Sequence, residues 1–534
     1  MKVDFAGFSV FDDRQLRLET AARSVVAACR EDRFGRGWRP KGIDETAIVL
    51  ESLGYSSEVV AELWYDSLFE LAHDVNELVE KYISDGPAPA TDEPHWFMRA
   101  CKDYAVGALY SGPFIVAILG MAAFGAALWS SISTPEHLAT AIALGVYAAL
   151  VVSGIFSQVI GRRVVSYVLQ DNYRLTTWFL DRTLALAVGV FALLGLLGWL
   201  ALRPFYGEQD AGLAASFFFG AGLFQVALAP LYALRRLLWI LWISVATTAL
   251  TGATFVLSFH RRIVLPTEPA TLAAELAVAG LLTIVGTLWW LRRRIGRTHG
   301  RILPPSRRAV VRDSLPYAIF GAGYFLMIIV DHVAAGLHNG LPYAYRATYE
   351  LGTDLALLAI VPVVGVINVV LEVLPRRILA GSRLRIAEIS PFDRHMKRYF
   401  LAAAAAVVGA TLLAALFAAT LGHVLLRHVG LAGAPAPATL FVIRYAAVAD
   451  GMLMLGLLSS QLLFIVNQPR IPVLAAVLGV AVNLTIGIVV DAARLPVGWC
   501  VFGLDAGVAA FVVLTTVAAY RTMSRFTYAY YAAY

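Results

Sequence analysis

Charged residues are scarce in this chain, and the scarcity excludes most classes of soluble protein. Asp, Glu, Lys and Arg make up 15% of the 534 residues and hydrophobic residues make up 59%, whereas soluble domains carry roughly 25% charged residues. A soluble protein of this length could bury a large core. It would not also contain many uncharged runs of ~20 residues, the length that crosses a bilayer as a helix. The composition therefore indicates a polytopic membrane protein.

Cysteines and catalytic signatures are also scarce. Cys29, Cys101 and Cys500 lie far apart and lack metal-ligand spacing, so we expect neither a disulfide nor a zinc site. No GxxxxGK[ST], HExxH or GxSxG sequence occurs, which argues against a P-loop ATPase, a metalloprotease or a serine hydrolase. We expect a protein that is not an enzyme and binds no cofactor. The first residues lack an apolar h-region, so we also expect no cleavable signal peptide.

Twelve apolar segments of spanning length form two groups of six. The first six are 105–129, 137–160, 183–202, 212–233, 237–258 and 268–290. The second six are 314–336, 351–375, 399–423, 438–465, 471–490 and 498–520. We therefore predict an all-α polytopic membrane protein of twelve transmembrane helices in two six-helix lobes. The predicted domains are a helical N-terminal domain 1–104, lobes 105–291 and 314–525, a basic loop 292–313 and a Tyr-rich tail 526–534.

Loop charges predict the orientation of the chain. If the N-terminus is cytoplasmic, 24 lysines and arginines lie in inner loops or the C-terminal tail and six in outer loops. Basic residues are retained in the cytoplasm during insertion, so both termini are predicted to be cytoplasmic. Positive-inside topology also explains the basic loops without a nucleic-acid partner. The pair Arg261–Arg262 is the exception, because it falls on the outer side.

The two halves resemble copies of each other. The loop between spans two and three opens with Arg162–Arg163, and that between spans eight and nine opens with Arg376–Arg377, 214 residues later. Parallel repeats of this kind form two bundles that can rock about a central cleft, giving alternating access. Charge rules alone could also place arginines at equivalent loops of any twelve-span protein.

The first 104 residues differ from the rest of the chain, with a net charge of −8 against +14 for the remainder. Acids at 58, 62, 66 and 70 recur every four residues beside apolar residues at helical spacing. We predict a small acidic helical domain, with its main helix at 57–84, ending at the linker 85–90. An acidic surface is repelled by anionic lipid, so this domain is expected to dock either on another protein or on the chain's own basic loops at 292–312 and 376–398. A solvated, solubilising arm is the alternative.

Ionisable residues within the spans are concentrated in the second lobe. The first six spans contain little beyond Glu275, close to an interface. Those of the second six are Asp331, Asp354, Glu372, Arg444, Asp450 and Asp505. Each costs ~2.5–3.5 kcal/mol at mid-span, so these residues are candidates for a transport pathway.

Two of these residues lie deepest. Arg444 and Asp450 share span ten and are six residues apart, which places them about 240° apart around a helix, so we expect different partners. An interhelical hydrogen bond is the alternative for Asp450. Glu372 could instead pair with Arg376, one turn further along.

Helix breakers indicate mobile spans. Span one contains Ser111-Gly112-Pro113 and span eight contains Pro362. Proline frees a backbone carbonyl and permits a kink within a membrane helix. We predict Gly112, Pro113 and Pro362 as hinge residues.

Several of these motifs resemble a known family. Twelve spans in two like halves resemble the MATE-like fold of the multidrug/oligosaccharidyl-lipid/polysaccharide (MOP) flippase superfamily. Within it, Ser111-Gly112-Pro113 resembles the SGP motif of the PelG-type membrane proteins of Pel exopolysaccharide export. Asp331 resembles that family's acidic position at the end of span seven, with His332 where a lysine is expected.

A second motif extends the likeness over roughly residues 105–525. Tyr349–Glu350, Pro362 and Glu372 resemble the family's YD…P…E pattern, with glutamate replacing aspartate. The acidic N-terminal domain departs from the family's short N-terminus. Taken together, the motifs and the buried charges predict these pathway or gating residues: Asp331, Tyr349, Glu350, Asp354, Glu372, Arg444 and Asp450.

The resemblance implies export of a polysaccharide or lipid-linked saccharide through a cleft between two lobes of a bacterial inner-membrane protein. It also implies cytoplasmic glycosyltransferase and membrane partners. A cation-coupled multidrug antiporter of the same superfamily is one alternative, although acids would then be expected in the first lobe. A non-transporting scaffold for a polysaccharide synthase is a second alternative, and an intramembrane transferase, for which no catalytic set is recognisable, is a third.

Overall fold

The computed structural model of the protein is helical and divides into two compact units, Met1–Arg99 and Ala100–Tyr534. No β-strand occurs among the residues that it describes, as predicted for an all-α protein. The described residues are 18–26, 40, 42–55, 57–62, 65–84, 96–113, 115–116, 135–170, 172–261, 268–295, 305–337, 341–381, 389–428 and 436–532. The predicted linker 85–90 lies outside them.

The first unit is a small helical domain. Its helices are α1 (18–26), α2 (Ile43–Ser52), α3 (Ser57–Glu62) and α4 (Leu68–Ser84). Val25, Leu50, Leu71 and Val75 are fully buried and form its core. A hydrogen bond from Thr46 Oγ1 to Asn76 Oδ1, 2.8 Å long, joins α2 to α4.

The predicted continuous helix at 57–84 is wrong, because the chain breaks between α3 and α4. Ser67 Oγ accepts a hydrogen bond from the Glu70 N–H (3.2 Å), and Glu70 Oε2 accepts one from the Asp66 N–H (2.9 Å). This is close to a capping box, which starts a new helix at a Ser with Glu three residues later. The acids recur every four residues on both sides of the break, so the sequence pattern alone predicted one continuous helix.

The second unit contains the helices long enough to span a membrane. Its first half contains α5 (Trp96–Tyr110), which begins in the first unit, and α6 (Glu136–Leu169), α7 (Tyr173–Ala233), α8 (Leu237–Arg261) and α9 (Glu268–Ile295). Its second half contains α10 (Arg307–Gly336), α11 (Ala347–Ala356), α12 (Ile360–Gly381), α13 (Ile389–His428), α14 (Ala436–Ile465), α15 (Arg470–Ala492), α16 (Val501–Met523) and the short α17 (Phe526–Tyr531).

Nine helical segments among the described residues are long and apolar enough to cross a membrane, so the chain is a multi-pass membrane protein. One of them, α7, has 61 residues and contains the predicted third and fourth spans. Gly207, at φ 80°, interrupts the helical backbone between these two spans. In α8 the apolar part is the shorter Leu237–Leu250. The predicted first span lies largely outside the described residues, so the number twelve stays a prediction.

Helix ends carry local signals that the sequence also contains. Asn172 caps α7 by accepting a hydrogen bond from the Leu175 N–H (3.0 Å), and Ser306 caps α10 by accepting one from the Ala309 N–H (3.3 Å). At the C-terminus, Phe526 of α17 is buried against Phe392, so the predicted Tyr-rich tail begins as a packed helix.

Each half has its own hydrophobic core, which defines two lobes. Leu180, Phe191 and Leu223 are buried in the first, and Phe320 and Phe511 in the second. We call the end of the bundle where α9 ends and α10 begins the linker end, and the opposite end the far end.

The lobes touch along α6 and α10. A Cβ atom placed on Gly321 would lie 2.2 Å from the Gly154 carbonyl oxygen, and one on Gly154 would lie 2.6 Å from the Gly321 oxygen. Glycine at both positions therefore brings the two backbones into direct contact. Toward the linker end, Arg163 Nε donates to Ser314 Oγ at 3.1 Å.

The predicted hinge residues lie at breaks in helices. α5 ends at Tyr110, Ser111 forms a turn, and helical backbone resumes at Gly112 and Pro113. Pro362 lies in the first turn of α12, directly after a 3₁₀ turn at Leu357–Ala359. A proline removes the hydrogen bond to the residue four positions earlier, and that residue, Leu358, lies within the 3₁₀ turn.

Candidate functional site

A buried polar network joins the two lobes toward the far end. The second lobe supplies residues from the last turns of α10, from the loop 341–346 and from the first turn of α11. The first lobe supplies Tyr147, eleven residues or about 16 Å along α6. The polar side chains of the two lobes therefore meet inside the bundle, away from the protein surface.

Glu350 is the centre of this network and is 1% exposed. Its Oε1 accepts a hydrogen bond from the Tyr343 hydroxyl at 2.7 Å. Its Oε2 lies 2.5 Å from Nδ1 of His332 and accepts a short hydrogen bond from the Tyr147 hydroxyl. The Tyr147 hydroxyl also lies 3.1 Å from the same His332 nitrogen. A buried carboxylate needs such partners, because burying an unpaired carboxylate away from water costs a large free energy of desolvation.

A second carboxylate lies beside this centre. Asp331, fully buried on α10, accepts a hydrogen bond from the Tyr349 hydroxyl through Oδ2 at 2.6 Å. Its other oxygen, Oδ1, has no hydrogen-bond partner among the described residues. Asp331 and Tyr349 thus form a pair next to the His332–Glu350 pair, and one carboxylate oxygen remains unsatisfied.

The loop 341–346 crosses from the second lobe to the first at the far end. The Tyr206 hydroxyl donates to the Tyr343 carbonyl (2.7 Å) and accepts from the Tyr343 N–H (2.9 Å). The Tyr345 N–H donates to Thr140 Oγ1 at 2.9 Å. Gly336 permits the fold-back, since a Cβ there would lie 2.3 Å from the Tyr343 ring.

Tyr343 lies in this loop, between membrane-spanning segments, and is almost fully buried. Burial, followed by the negative charge of Glu350, raises the pKa of Tyr343 well above its ordinary value. Its hydroxyl therefore remains a hydrogen-bond donor to Glu350 at any physiological pH.

Two predicted pathway acids lie near the network. Asp450 is buried on α14, a helix that packs against α11. Asp354 is half-buried one turn beyond Glu350 on α11. Three of the seven predicted residues, Asp331, Tyr349 and Glu350, thus lie in the network, and two more, Asp354 and Asp450, lie on helices α11 and α14 beside it.

The other two lie elsewhere. Glu372 is close to the linker end and forms an ion pair with Arg235 of the first lobe, 2.7 Å between Oε1 and Nη1. The alternative partner Arg376 has a side chain outside the described residues. Arg444 is exposed on α14, on a different face from buried Asp450.

Sequence reasoning missed the first-lobe side of the network. Tyr147 and Tyr206 were not predicted, because neither carries a formal charge and neither belongs to a motif. Tyr147 is nevertheless a single phenol in an otherwise apolar run, which is a weak signal for a polar partner. His332 is named above only as a departure from a pattern, yet its Nδ1 lies 2.5 Å from Oε2 of Glu350.

The buried carboxylates are unevenly distributed. Within the described part of the membrane unit, the buried acids are Asp331, Glu350 and Asp450, all in the second lobe. The buried polar residues described in the first lobe are instead serines and threonines, such as Ser153. At the inter-lobe site the second lobe therefore supplies carboxylates and an imidazole, and the first lobe supplies hydroxyl groups of tyrosine, serine and threonine.

These observations define a two-lobed, multi-pass helical membrane protein with a buried polar contact between its lobes. No protein-family model matches the sequence, and no curated protein matches it either. Solved structures with the same fold are nevertheless found.

One is an outward-facing multidrug resistance MATE family transporter of the MOP superfamily, with TM-score 0.51 and 14% identity, covering 80% of this chain and 97% of that one. A MATE protein in complex with MaD5 matches with a TM-score of 0.52 and 13% identity over 80% of this chain and 95% of that one. A MOP superfamily transporter from Pyrococcus furiosus, described as having a binding pocket of reverse polarity, matches with a TM-score of 0.50 and 14% identity over 80% of this chain and 97% of that one. The fold is thus that of MATE-type MOP transporters, as predicted.

Proposed function

We propose that this protein is a transporter that exports a polysaccharide or lipid-linked saccharide across a bacterial inner membrane between its two lobes. The observation that carries the proposal is the hydrogen-bonded contact of Tyr147 in the first lobe with Glu350 and His332 in the second. This contact is the gate in the proposed mechanism. The fold, shared with transporters, is consistent with it.

A gate suits these contacts better than a rigid scaffold does. A buried ion pair is weak support for stability, since hydrophobic packing of the same volume is often at least as stable. The inter-lobe contact depends on the hydrogen bonds of this network. Hydroxyl groups of a passing ligand can replace these hydrogen bonds with their own. A static scaffold has no need for such a cost at its lobe boundary.

Contacts at both ends support a rocking mechanism. The far end has the network and the loop 341–346, while the linker end has Arg235–Glu372 and Arg163–Ser314. In the proposed cycle, contacts at one end separate while those at the other hold. The contact of Gly154 with Gly321 lies between the two ends and acts as the fulcrum.

The chemistry of the site favours a saccharide. Carboxylates and phenols bind sugar hydroxyls, and aromatic rings form platforms for sugar faces. Tyr147, Tyr343 and Tyr349 supply such groups beside Asp331 and Glu350. The motif resemblance points to the same substrate class and to a cytoplasmic glycosyltransferase partner. The unit at 1–99 is the proposed docking module for that partner.

A cation-coupled multidrug antiporter is the second candidate, favoured by the fold neighbours, which are MATE proteins and include a multidrug resistance transporter. Expression in a drug-efflux-deficient strain separates the two. A saccharide exporter leaves the minimum inhibitory concentrations of cationic dyes unchanged. Increased dye resistance that disappears in Asp450→Asn would instead establish the antiporter.

The gate itself can be tested by a reversible cross-link. The Tyr345 N–H donates to the Thr140 side chain across the lobe boundary, so Thr140→Cys with Tyr345→Cys places one cysteine on each side of this contact for a disulfide cross-link. In a background with the three native cysteines changed to serine, oxidation should stop export and dithiothreitol should restore it.

The matched control lies within one lobe. Ser459 Oγ and Thr516 Oγ1 are 3.2 Å apart, both in the second lobe, so Ser459→Cys with Thr516→Cys cross-links without joining the lobes. Export should continue in the oxidised control. Normal export through the oxidised Thr140–Tyr345 pair would show that the far end does not need to open.

A further inference from the structure

Tryptophan and arginine pairs cover one face of the first lobe at the linker end. We call the group Arg236, Trp239, Trp289, Trp290 and Arg293 the Trp–Arg cluster. It is formed by the start of α8 and the last two turns of α9. The Trp239 and Trp290 rings meet edge to face, with centroids 5.9 Å apart, and tie the two helices together.

Both arginines of the cluster lie over aromatic rings. The Arg236 guanidinium carbon is 4.7 Å from the Trp290 ring centroid, and that of Arg293 is 3.8 Å from the Trp289 centroid. A guanidinium stacked on a ring keeps the N–H groups at its edge free for an anion. The stacking therefore orients the donors before any ligand arrives.

Carboxylates do not neutralise this cluster. Arg236 and Arg293 have no ion-pair partner among the described residues, whereas Arg292, the neighbour of Arg293, lies 2.9 Å from Asp181. The positive charges of Arg236 and Arg293 are therefore available to a ligand, whereas that of Arg292 is already paired with Asp181.

Apolar side chains continue from the cluster toward mid-span. Trp242 on α8 and Leu282 and Val285 on α9 are 69%, 67% and 62% exposed. Exposure of that degree on a spanning helix marks the surface that faces acyl chains. Cationic donors at the helix ends and an apolar face beyond them match the two parts of a phospholipid.

We propose that the Trp–Arg cluster is a binding site for the phosphate headgroup of an anionic phospholipid. Tryptophan and arginine are common at membrane interfaces, but here two unpaired guanidiniums on adjacent helices are pre-oriented by their rings. The phosphate oxygens accept hydrogen bonds from Arg236 and Arg293, and the acyl chains lie along α8 and α9. The bound lipid stabilises the pairing of these two helices.

Native mass spectrometry of the purified full chain tests the site. The probes are phosphatidylglycerol, phosphatidylcholine with the same acyl chains, and polyprenyl phosphate. We expect phosphatidylglycerol to bind and phosphatidylcholine not to bind. Loss of one cation near the headgroup plane weakens lipid binding about 5-fold, and loss of two weakens it about 30-fold. The double variant Arg236→Gln with Arg293→Gln should therefore bind phosphatidylglycerol about 30-fold more weakly.

Arg203→Gln is the matched control, because Arg203 lies over Trp199 at 5.8 Å near the far end, away from the cluster. It should change the affinity less than twofold. If the double variant misfolds, each single variant should show the 5-fold loss. Unchanged phosphatidylglycerol binding in the cluster variants would overturn the proposal, as would polyprenyl phosphate binding more tightly through the same arginines.

Discussion

Arg235 and Glu372 join the two lobes close to the linker end, with Nη1 2.7 Å from Oε1. Arg235 occupies the turn between α7 and α8 at φ 54°, a left-handed conformation. Glycine is the usual residue at such a helix end, and an arginine there costs roughly 1–2 kcal/mol of backbone strain. We infer that arginine occurs at this position because its side chain reaches the other lobe.

Glu372→Gln should therefore weaken closure of the linker end more than it changes the stability of the protein. The Arg235 side chain is 69% exposed, and exposed ion pairs contribute about 0–1 kcal/mol. We expect a small change in thermal unfolding but faster labelling of a cysteine at Ser314, which is buried between the lobes. Reversal of the pair, Arg235→Glu with Glu372→Arg, should restore slow labelling. Equal labelling in all three proteins would contradict a role in holding the linker end closed.

Tyr147→Phe removes the only first-lobe hydroxyl described in contact with Glu350. Loss of a buried hydrogen bond to a charged group costs about 1–3 kcal/mol, so unfolding in detergent should shift by that amount and export should fall. Tyr445→Phe, which changes a 41% exposed tyrosine, is the control and should alter neither. A stable, fully active Tyr147→Phe protein would remove the network from the mechanism.

Asp450→Asn should separate function from stability. Asp450 is 2% exposed, and a neutral amide at this position avoids the cost of burying a charge. We expect unfolding stability that is unchanged or higher, together with loss of export in correctly inserted protein. Loss of both would indicate a structural hydrogen-bonding role, and normal export would exclude Asp450 from the pathway.

Deletion of residues 1–90 should abolish partner co-purification and leave the membrane unit folded. The first 104 residues carry a net charge of −8, and a Debye length of ~8 Å confines their attraction for a basic partner to near contact. Co-purification in mild detergent and gel filtration of the truncated protein provide the two measurements. Retained partners and normal export would reduce the domain to a solubilising arm.

Hydropathy determined much of this protein without tertiary information. An apolar run of about 20 residues has few alternatives to a spanning helix, because lipid offers backbone groups no partners. The α15 helix, Arg470–Ala492, follows its predicted span 471–490 closely for that reason. The α6 helix begins one residue before its predicted span 137–160 and continues nine residues past the end of that span. The cost of burying charge likewise marked Asp331 and Asp450, whose burial the structure shows.

What only the tertiary structure decided is which polar groups meet. The hydroxyl of Tyr147 lies 203 residues from Glu350 in sequence, and neither hydropathy nor helical periodicity relates such distant positions. Glu372 and Glu350 were grouped by one motif, yet they lie toward opposite ends of the bundle with different partners. Hydropathy registers the cost of burying a polar group, which is a property of one residue. Partner choice depends on how the helices of two lobes pack, which is a property of the whole fold.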